Sequence, residues 1–401
     1  MRKLRHYIFK TMARTALYLM FTYRRLKLAL RRLPKDRKSV VFYLEDGNLY
    51  RADDGMGRYA YLILNAFSGG GYNVYLCKSV DTFRKYRELG KYGRLMYTVK
   101  NLKMINRVPE HIREEEALFA FDRINEQLMS RKWKRLVYVN ILWPSFCKAG
   151  DVIWRPYYFH PTTYTQGLDK NVEALRLNQR KLRIFFAGNA IAQGYSLSKL
   201  RERYNQLTRH EGVTAALELM DKVKTVEDTA EFLDMVNNGP YLNECRLLMT
   251  NRTVKLSVAD YWDTLSKSDF FLCFSGTDLP QCHNSVEAMA VGTIPIIAYP
   301  DWFFPALEDG KNAILYSGTE DMKAKILKIL AMPNEEILHM RKNVLEYYEK
   351  HLSNRSFIEK VENHMGDYAT VMQHPRLVCS AQEDENGRQF MLKLKNALHA
   401  R

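Results

Sequence analysis

The stretch Ser268–Ala298, SDFFLCFSGTDLPQCHNSVEAMAVGTIPIIA, decides how this 401-residue chain folds. Phe270 to Phe274 is an uninterrupted apolar run of strand length, and Ile294 to Ala298 is another; neither alternates as a half-exposed strand does. Between them Ser285 to Val291 reads as a short helix beginning at Asn284 or Ser285, with Gly292 where a left-handed C-terminal cap belongs. Buried strand, loop, helix, buried strand is a unit of a parallel sheet. In such a sheet the loop Ser275–His283 lies at the carboxyl end of its strand. There the first N–H groups of the helix, around Val286–Ala288, direct partial positive charge at whatever occupies the crevice. A diphosphate suits that place.

The same alternation extends outward. Upstream, Leu182–Ala187 is a fresh buried strand followed by the loop Gly188–Gly194. Helices follow near Ser198–Leu207 and Val213–Met220, then a strand at Arg246–Met249 and a helix at Val258–Lys267. Downstream, helices are predicted over Glu335–His351, capped by Asn334, and over Ser356–Met372. The first half repeats the pattern. Strand Ser39–Leu44 leads through the polar loop Glu45–Gly57 to helix Arg58–Phe67 and strand Tyr72–Cys77. Further strands are expected at Leu118–Phe121, Leu136–Ile141 and Val152–Trp154. Residues 46% hydrophobic and 12% aromatic exclude a disordered chain and are enough for two cores. The expectation is an α/β protein of two Rossmann-like domains, 39–172 and 173–352. Helices in 353–401 pack back on the first domain.

The net charge of +16 is uneven. Residues 1–38 hold thirteen Lys or Arg and one acid, a net +12, and the rest of the chain is close to neutral. Within that arm the longest uncharged run, Thr15–Tyr23, is too short to cross a bilayer and is followed by Arg24-Arg25 rather than a cleavage site. Ile8, Phe9, Met12, Leu19, Met20, Tyr23, Leu26, Leu30 and Leu33 recur at roughly three-to-four spacing between basic residues until Pro34. Two readings stay open: an amphipathic helix over 1–33 lying on an anionic membrane surface, or a solvated or domain-packing basic helix. The membrane reading implies a cytoplasmic protein peripheral to the inner face of the cell membrane. The six cysteines show no paired spacing with cysteine or histidine, so no metal site and no cofactor is expected.

The residues of Ser268–Ala298 carry a resemblance. Ser275-Gly276, then Asn284-Ser285-Val286-Glu287-Ala288, then Gly292-Thr293-Ile294-Pro295-Ile296-Ile297 resemble the donor-binding half of GT-B glycosyltransferases, most closely the exostosin type. The preceding Tyr261–Ser268 looks like the helix such enzymes place before this strand. Phe186-Ala187-Gly188 with Arg201 is similar to the first strand and basic helix of that half. The resemblance implies two doubly wound domains facing a central cleft. It also implies that Glu287 accepts hydrogen bonds from the ribose of a nucleotide-sugar, that Asn284 and Ser285 meet its diphosphate, and that Arg201 neutralises the charge. Gly57, Gly188, Ser275, Gly276 and His283 complete the donor-binding set.

Bland alternatives stand beside these roles. Asn284-x-x-Glu287 is also a capping-box pattern, Arg201 with Lys199 and Arg203 also reads as a solvated helix face, and Gly55 and Gly57 also read as turn glycines. Related retaining families carry two glutamates in this region; Leu279 occupies the position of the first, with Asp278 beside it, so the stereochemical outcome is open. No two aspartates stand two positions apart, which disfavours the metal-dependent class built on a D-x-D triplet. An inverting reaction needs a carboxylate or imidazole near the acceptor hydroxyl, and the candidates in strand-end loops of the first half are Asp46, Asp54 and His160.

The function expected is transfer of a sugar from a nucleotide-sugar to a glycan or lipid-linked glycan, in surface polysaccharide or lipopolysaccharide assembly. The rivals are an anionic-membrane or nucleic-acid binding protein acting through the arm, and a sugar-phosphate epimerase or phosphorylase of the same shape. No nucleic-acid module is present in the sequence, so nucleic acid is not an expected partner.

Overall fold

The computed structural model of the protein describes residues 2–44, 57–77, 92–140, 145–146, 151–155, 157–190, 199–276, 279–373, 378–379, 389 and 392–396. After helix α1 (Arg2–Ala29) come β1 (Lys38–Tyr43), α2 (Arg58–Gly69), β2 (Tyr72–Cys77), β3 (Leu102–Ile105), β4 (Leu118–Phe121), β5 (Arg135–Val139), β6 (Ser145–Phe146), β7 (Val152–Trp154) and α3 (Pro161–Thr165). The chain continues through β8 (Leu182–Gly188), α4 (Lys199–Tyr204), α5 (Arg209–Leu217), β9 (Val223–Thr225), α6 (Thr229–Asn238), β10 (Leu242–Met249), α7 (Val258–Ser266) and β11 (Ser268–Cys273). Then follow α8 (His283–Ala290), β12 (Ile294–Ile297), β13 (Ile314–Leu315), α9 (Gly318–Leu330), α10 (Asn334–Tyr347), α11 (Asn354–Asn363), β14 (Tyr368–Met372) and β15 (Val378–Cys379).

Two compact units form. The first comprises 1–153, 358–373 and 377–401, and the second comprises 154–357 with 374–376. The sheet of the first unit has the order β3-β2-β1-β4-β5-β14-β7, with β1, β2, β3, β4, β5 and β14 paired in parallel. The sheet of the second has the order β13-β12-β11-β8-β10-β9, parallel throughout. This is the α/β class with a pair of Rossmann-like sheets. Continuous apolar strands suit it, because helices on both faces leave no strand face in water. Every residue of β2, β4 and β11 is buried.

Several features differ from the sequence expectation. The helix expected over Ser356–Met372 ends at Asn363, and Tyr368–Met372 is instead a buried strand inside the first sheet. The Arg135 guanidinium satisfies carbonyls at the break: it donates to that of Val361 in the last turn of α11 and to those of His364 and Gly366 just past it. Asn334 is the first helical residue of α10, with Pro333 at the cap position. The boundary between units falls at Ile153/Trp154 rather than 172/173. Residues 157–165 are tied to the second unit: Trp262 Nε1 donates to Thr163 Oγ1 at 3.1 Å, and the Phe159 ring meets Trp262 edge-on at 4.9 Å.

Chain order against sheet order locates a reversal point in each sheet. From β1 the first sheet grows to β2 and β3, then reverses to β4 on the other side. In the second, β9 and then β10, which lies between β9 and β8, build one side of β8 before the chain reverses to β11 on the other. The carboxyl ends of β8 and β11, side by side in register, mark the switch point of the second sheet, where open α/β sheets take ligands.

Candidate functional site

Helix α8 starts at that switch point. Seven of its eight residues, Asn284–Ala290, are buried, so its polar side chains must find partners inside the protein. Ser285 Oγ donates to the carbonyl of the cap residue Cys282 at 2.9 Å, and the Cys282 thiol donates to Asn284 Oδ1. Glu287 is 1% exposed, and its Oε1 accepts the backbone N–H of His160 at 2.8 Å. The helix begins at His283, one to two residues earlier than expected. Asn284 therefore lies inside the first turn, and the Asn284–Glu287 capping box is not formed. The carboxylate reaches across to the segment before α3 instead.

The loop ahead of α8 is tight. A Cβ on Gly276 would lie 2.7 Å from the Leu279 carbonyl oxygen, a backbone atom that cannot step aside, and Gly276 N donates to Pro280 O at 3.1 Å. Ser275 is buried next to it. At the other strand end, Gly188 closes β8. A Cβ there would press on the Phe186 ring at 3.2 Å and on Arg209 Nη1 at 3.3 Å. Gly292 takes the left-handed conformation expected of it, φ 74°.

Of the two readings the sequence left open for Arg201, the structure shows an exposed side chain, and a second arginine that the sequence reading did not name, Arg209, is the enclosed one. Arg201 is largely exposed and pairs with Glu211 at 2.6 Å. Arg209 is buried; its Nη1 donates to Asn189 O at 3.1 Å in the loop after β8, and its Nη2 approaches Cys282 Sγ at 4.0 Å. The signal for this was in the sequence. Thr208-Arg209-His210-Glu211 is a capping box, and the structure forms it: Thr208 Oγ1 accepts from Glu211 N, and Glu211 Oε2 accepts from Thr208 N. That fixes the start of α5 and presents Arg209 at its first position.

His160 belongs to the second unit and not to the first domain. It caps α3, its Nδ1 lies 2.7 Å from Thr162 Oγ1, and its ring is 5.1 Å from that of His283. The sequence did not single out two phenols that also line this region. Tyr261 faces Glu287: burial first, then the carboxylate's charge, hold its hydroxyl well above the usual tyrosine range. Tyr299, wholly buried just past β12, is likewise raised, by burial first and then by the neighbouring Cys282 and Cys273, with Arg209 opposing. The Tyr299 hydroxyl and the carboxamide oxygen of buried Gln281 have no hydrogen-bond partner among the described residues, which leaves both able to meet a ligand.

In the first unit Gly57 caps α2 in the left-handed region, φ 70° and ψ 22°, with no side-chain cap. Asp46, Asp54 and Gly55 lie outside the described residues, as does Asp278. Among the described residues no group of three or more His, Cys, Asp or Glu side chains is placed to hold a metal ion.

The sequence matches no protein-family model and no curated protein. Solved structures similar to the chain include glycosyltransferases. Anabaena HepE in complex with UDP is 10% identical over 81% of this chain and 98% of that one, with a TM-score of 0.40. A glycosyltransferase from Rickettsia africae is 9% identical over 82% and 98%, with a TM-score of 0.38. A UDP-N-acetylglucosamine 2-epimerase from Listeria monocytogenes is 11% identical over 84% and 99%, with a TM-score of 0.32.

Proposed function

We propose that the chain is a glycosyltransferase of the exostosin type. It moves a sugar from a nucleotide-sugar to a glycan or lipid-linked glycan acceptor in surface polysaccharide or lipopolysaccharide assembly, without a divalent metal. The observation that supports this reading is the head of α8. A buried arginine, the first-turn N–H groups of a helix and two buried polar atoms without a hydrogen-bond partner among the described residues lie together at a switch point.

A diphosphate seated on the first turn of α8 receives backbone N–H groups, the Arg209 guanidinium and the Tyr299 hydroxyl. Charge-assisted donors of this kind are the means of stabilising a nucleoside diphosphate leaving group where no metal does so. Gly188 and Gly276 let the two loops come close enough, and Ser275 and His283 line the approach. Glu287 accepts from His160 N–H and lies against the Tyr261 hydroxyl; a carboxylate accepts about four hydrogen bonds, and in this reading the ribose hydroxyls join those partners. The proton of the acceptor hydroxyl goes to Asp46, Asp54 or His160.

The test is a panel of UDP, GDP, CMP and dTDP sugars scored for thermal stabilisation and for nucleoside diphosphate release with glycan acceptors. One donor class should stabilise the protein and release its diphosphate in step with glycoside formation. Silence across the panel overturns the reading, and conversion of the donor to an epimer without transfer replaces it with the epimerase.

A further inference from the structure

In the described part of helix α1, Phe21 and Leu28 face its own unit and a row of apolar side chains faces solvent. On the inner face Leu28 is buried, Phe21 packs on Tyr97 with ring centroids 5.8 Å apart, and Arg94 lies over the Phe21 ring at 5.5 Å. Past the helix end, Arg31 Nη1 donates to Val99 O at 2.7 Å and also to the Lys100 carbonyl. Asn73 Nδ2 donates to Pro34 O at 2.6 Å, and Arg37 Nη2 to Tyr72 O at 3.2 Å. These contacts join the helix to β2, β3 and the turn Gly93–Thr98.

On the outer face Met12, Leu19, Tyr23, Leu26 and Leu30 are 67, 61, 66, 56 and 72% exposed. Steps of seven, four, three and four residues keep all five within an arc of about 60° at ~100° per residue. A row of large apolar side chains in water calls for an occupant. A second copy of the chain would oppose two segments of net +12 each, and like charges resist that. A nucleic acid would meet the charge and leave the apolar row uncovered. An anionic bilayer meets both, with the row among the acyl chains and Arg24 and Lys27, exposed on one flank, at the phosphates. No described helix is long and apolar enough to cross a membrane, which fits a helix lying in the plane.

We infer that α1 is a rigid keel. It seats on an anionic membrane through the Met12–Leu30 row, and because its inner face is clamped it holds the β3 edge of the first sheet toward the bilayer. This stands whether or not the chain transfers sugars.

The test uses the full chain and vesicles of phosphatidylglycerol with phosphatidylcholine, against phosphatidylcholine alone. The double variant Leu19→Glu with Leu26→Glu changes exposed positions only, and an unchanged thermal melt confirms its fold. Wild type should float with the anionic vesicles, and the double variant should bind them at least about tenfold more weakly. In a separate pair, fluorophores are attached after Lys100→Cys, beside the clamp, or Lys132→Cys, at the far side of the sheet. A headgroup quencher should dim position 100 more than position 132. Failure of wild type to float, equal flotation of the double variant, or equal quenching at both sites overturns the proposal. So does a wild-type dimer that the double variant converts to monomer without any vesicle binding.

Discussion

At the reversal of the first sheet, α2 starts from Gly57 with no side-chain cap and buries nine of its twelve residues, nearly all apolar. At the reversal of the second, α8 starts from Cys282 and buries Asn284, Ser285 and Glu287 among its first turns, with Arg209 at its head. The two beginnings share a topology and are held by different forces. The first is fixed by shape, a left-handed glycine and close packing. The second is fixed by polar groups that must be satisfied, and groups arranged for polar satisfaction are what a charged ligand uses.

Each of the following substitutions breaks or sharpens that contrast. Glu287→Ala has the largest expected effect: it removes the acceptor of the part-buried His160 N–H and opens a cavity at a wholly buried side chain. It should destabilise the fold by about 3 kcal/mol in a denaturant titration. Glu287→Gln keeps an acceptor for that N–H, so it should hold most of the stability yet bind donor more weakly; full donor affinity in that variant would leave the carboxylate a purely structural part. Arg209→Ala should weaken nucleotide-sugar binding by about 2 kcal/mol, roughly thirtyfold, measured by calorimetry. Gly57→Ala, forced into φ 70°, should lose about 1 kcal/mol of stability and leave donor affinity unchanged. A donor effect larger than the stability effect there would mean that both reversals hold ligand.

The smallest effect belongs to Arg201, for which the sequence left a donor role and a solvated helix face both open. Arg201→Ala should change stability by no more than about 0.5 kcal/mol and leave donor binding intact, since an exposed ion pair contributes little. Its partner gives a pH signature. Burial alone would raise the Glu211 carboxyl, but the Thr208 N–H and hydroxyl and then Arg201 hold it below its ordinary 4.5. A depressed carboxyl adds stability that is complete above the unfolded value and fades as pH falls through the folded one. Thr208→Ala should therefore lower stability by about 1 kcal/mol near neutrality, and by less in acid.

Where packing alone decides, the residues were readable. Tyr72–Cys77, Leu118–Phe121 and Val152–Trp154 fall where their apolar runs placed them, and the strand–loop–helix–strand of Ser268–Ala298 is present nearly to the residue. The misreadings share a cause, which is partnership across long sequence separation. Tyr368–Met372 continues a helical rhythm locally, and it becomes a strand because Arg135 terminates α11 and β5 offers an open edge. His160 looks like a residue of the first half until Glu287, far along the chain, takes its N–H. Arg201 and Arg209 are equivalent as letters, and only the fold of the loop after β8 tells which one is enclosed.

The placing of β14 between β5 and β7 has a consequence in time. A ribosome releases β1 to β7 long before Tyr368–Met372 exists, so the nascent first sheet waits with the β5 edge unpaired while the whole second unit is made and can fold. The chain that emerges first is the last to finish. Until it does, that open edge is where a chaperone or a stray strand would attach.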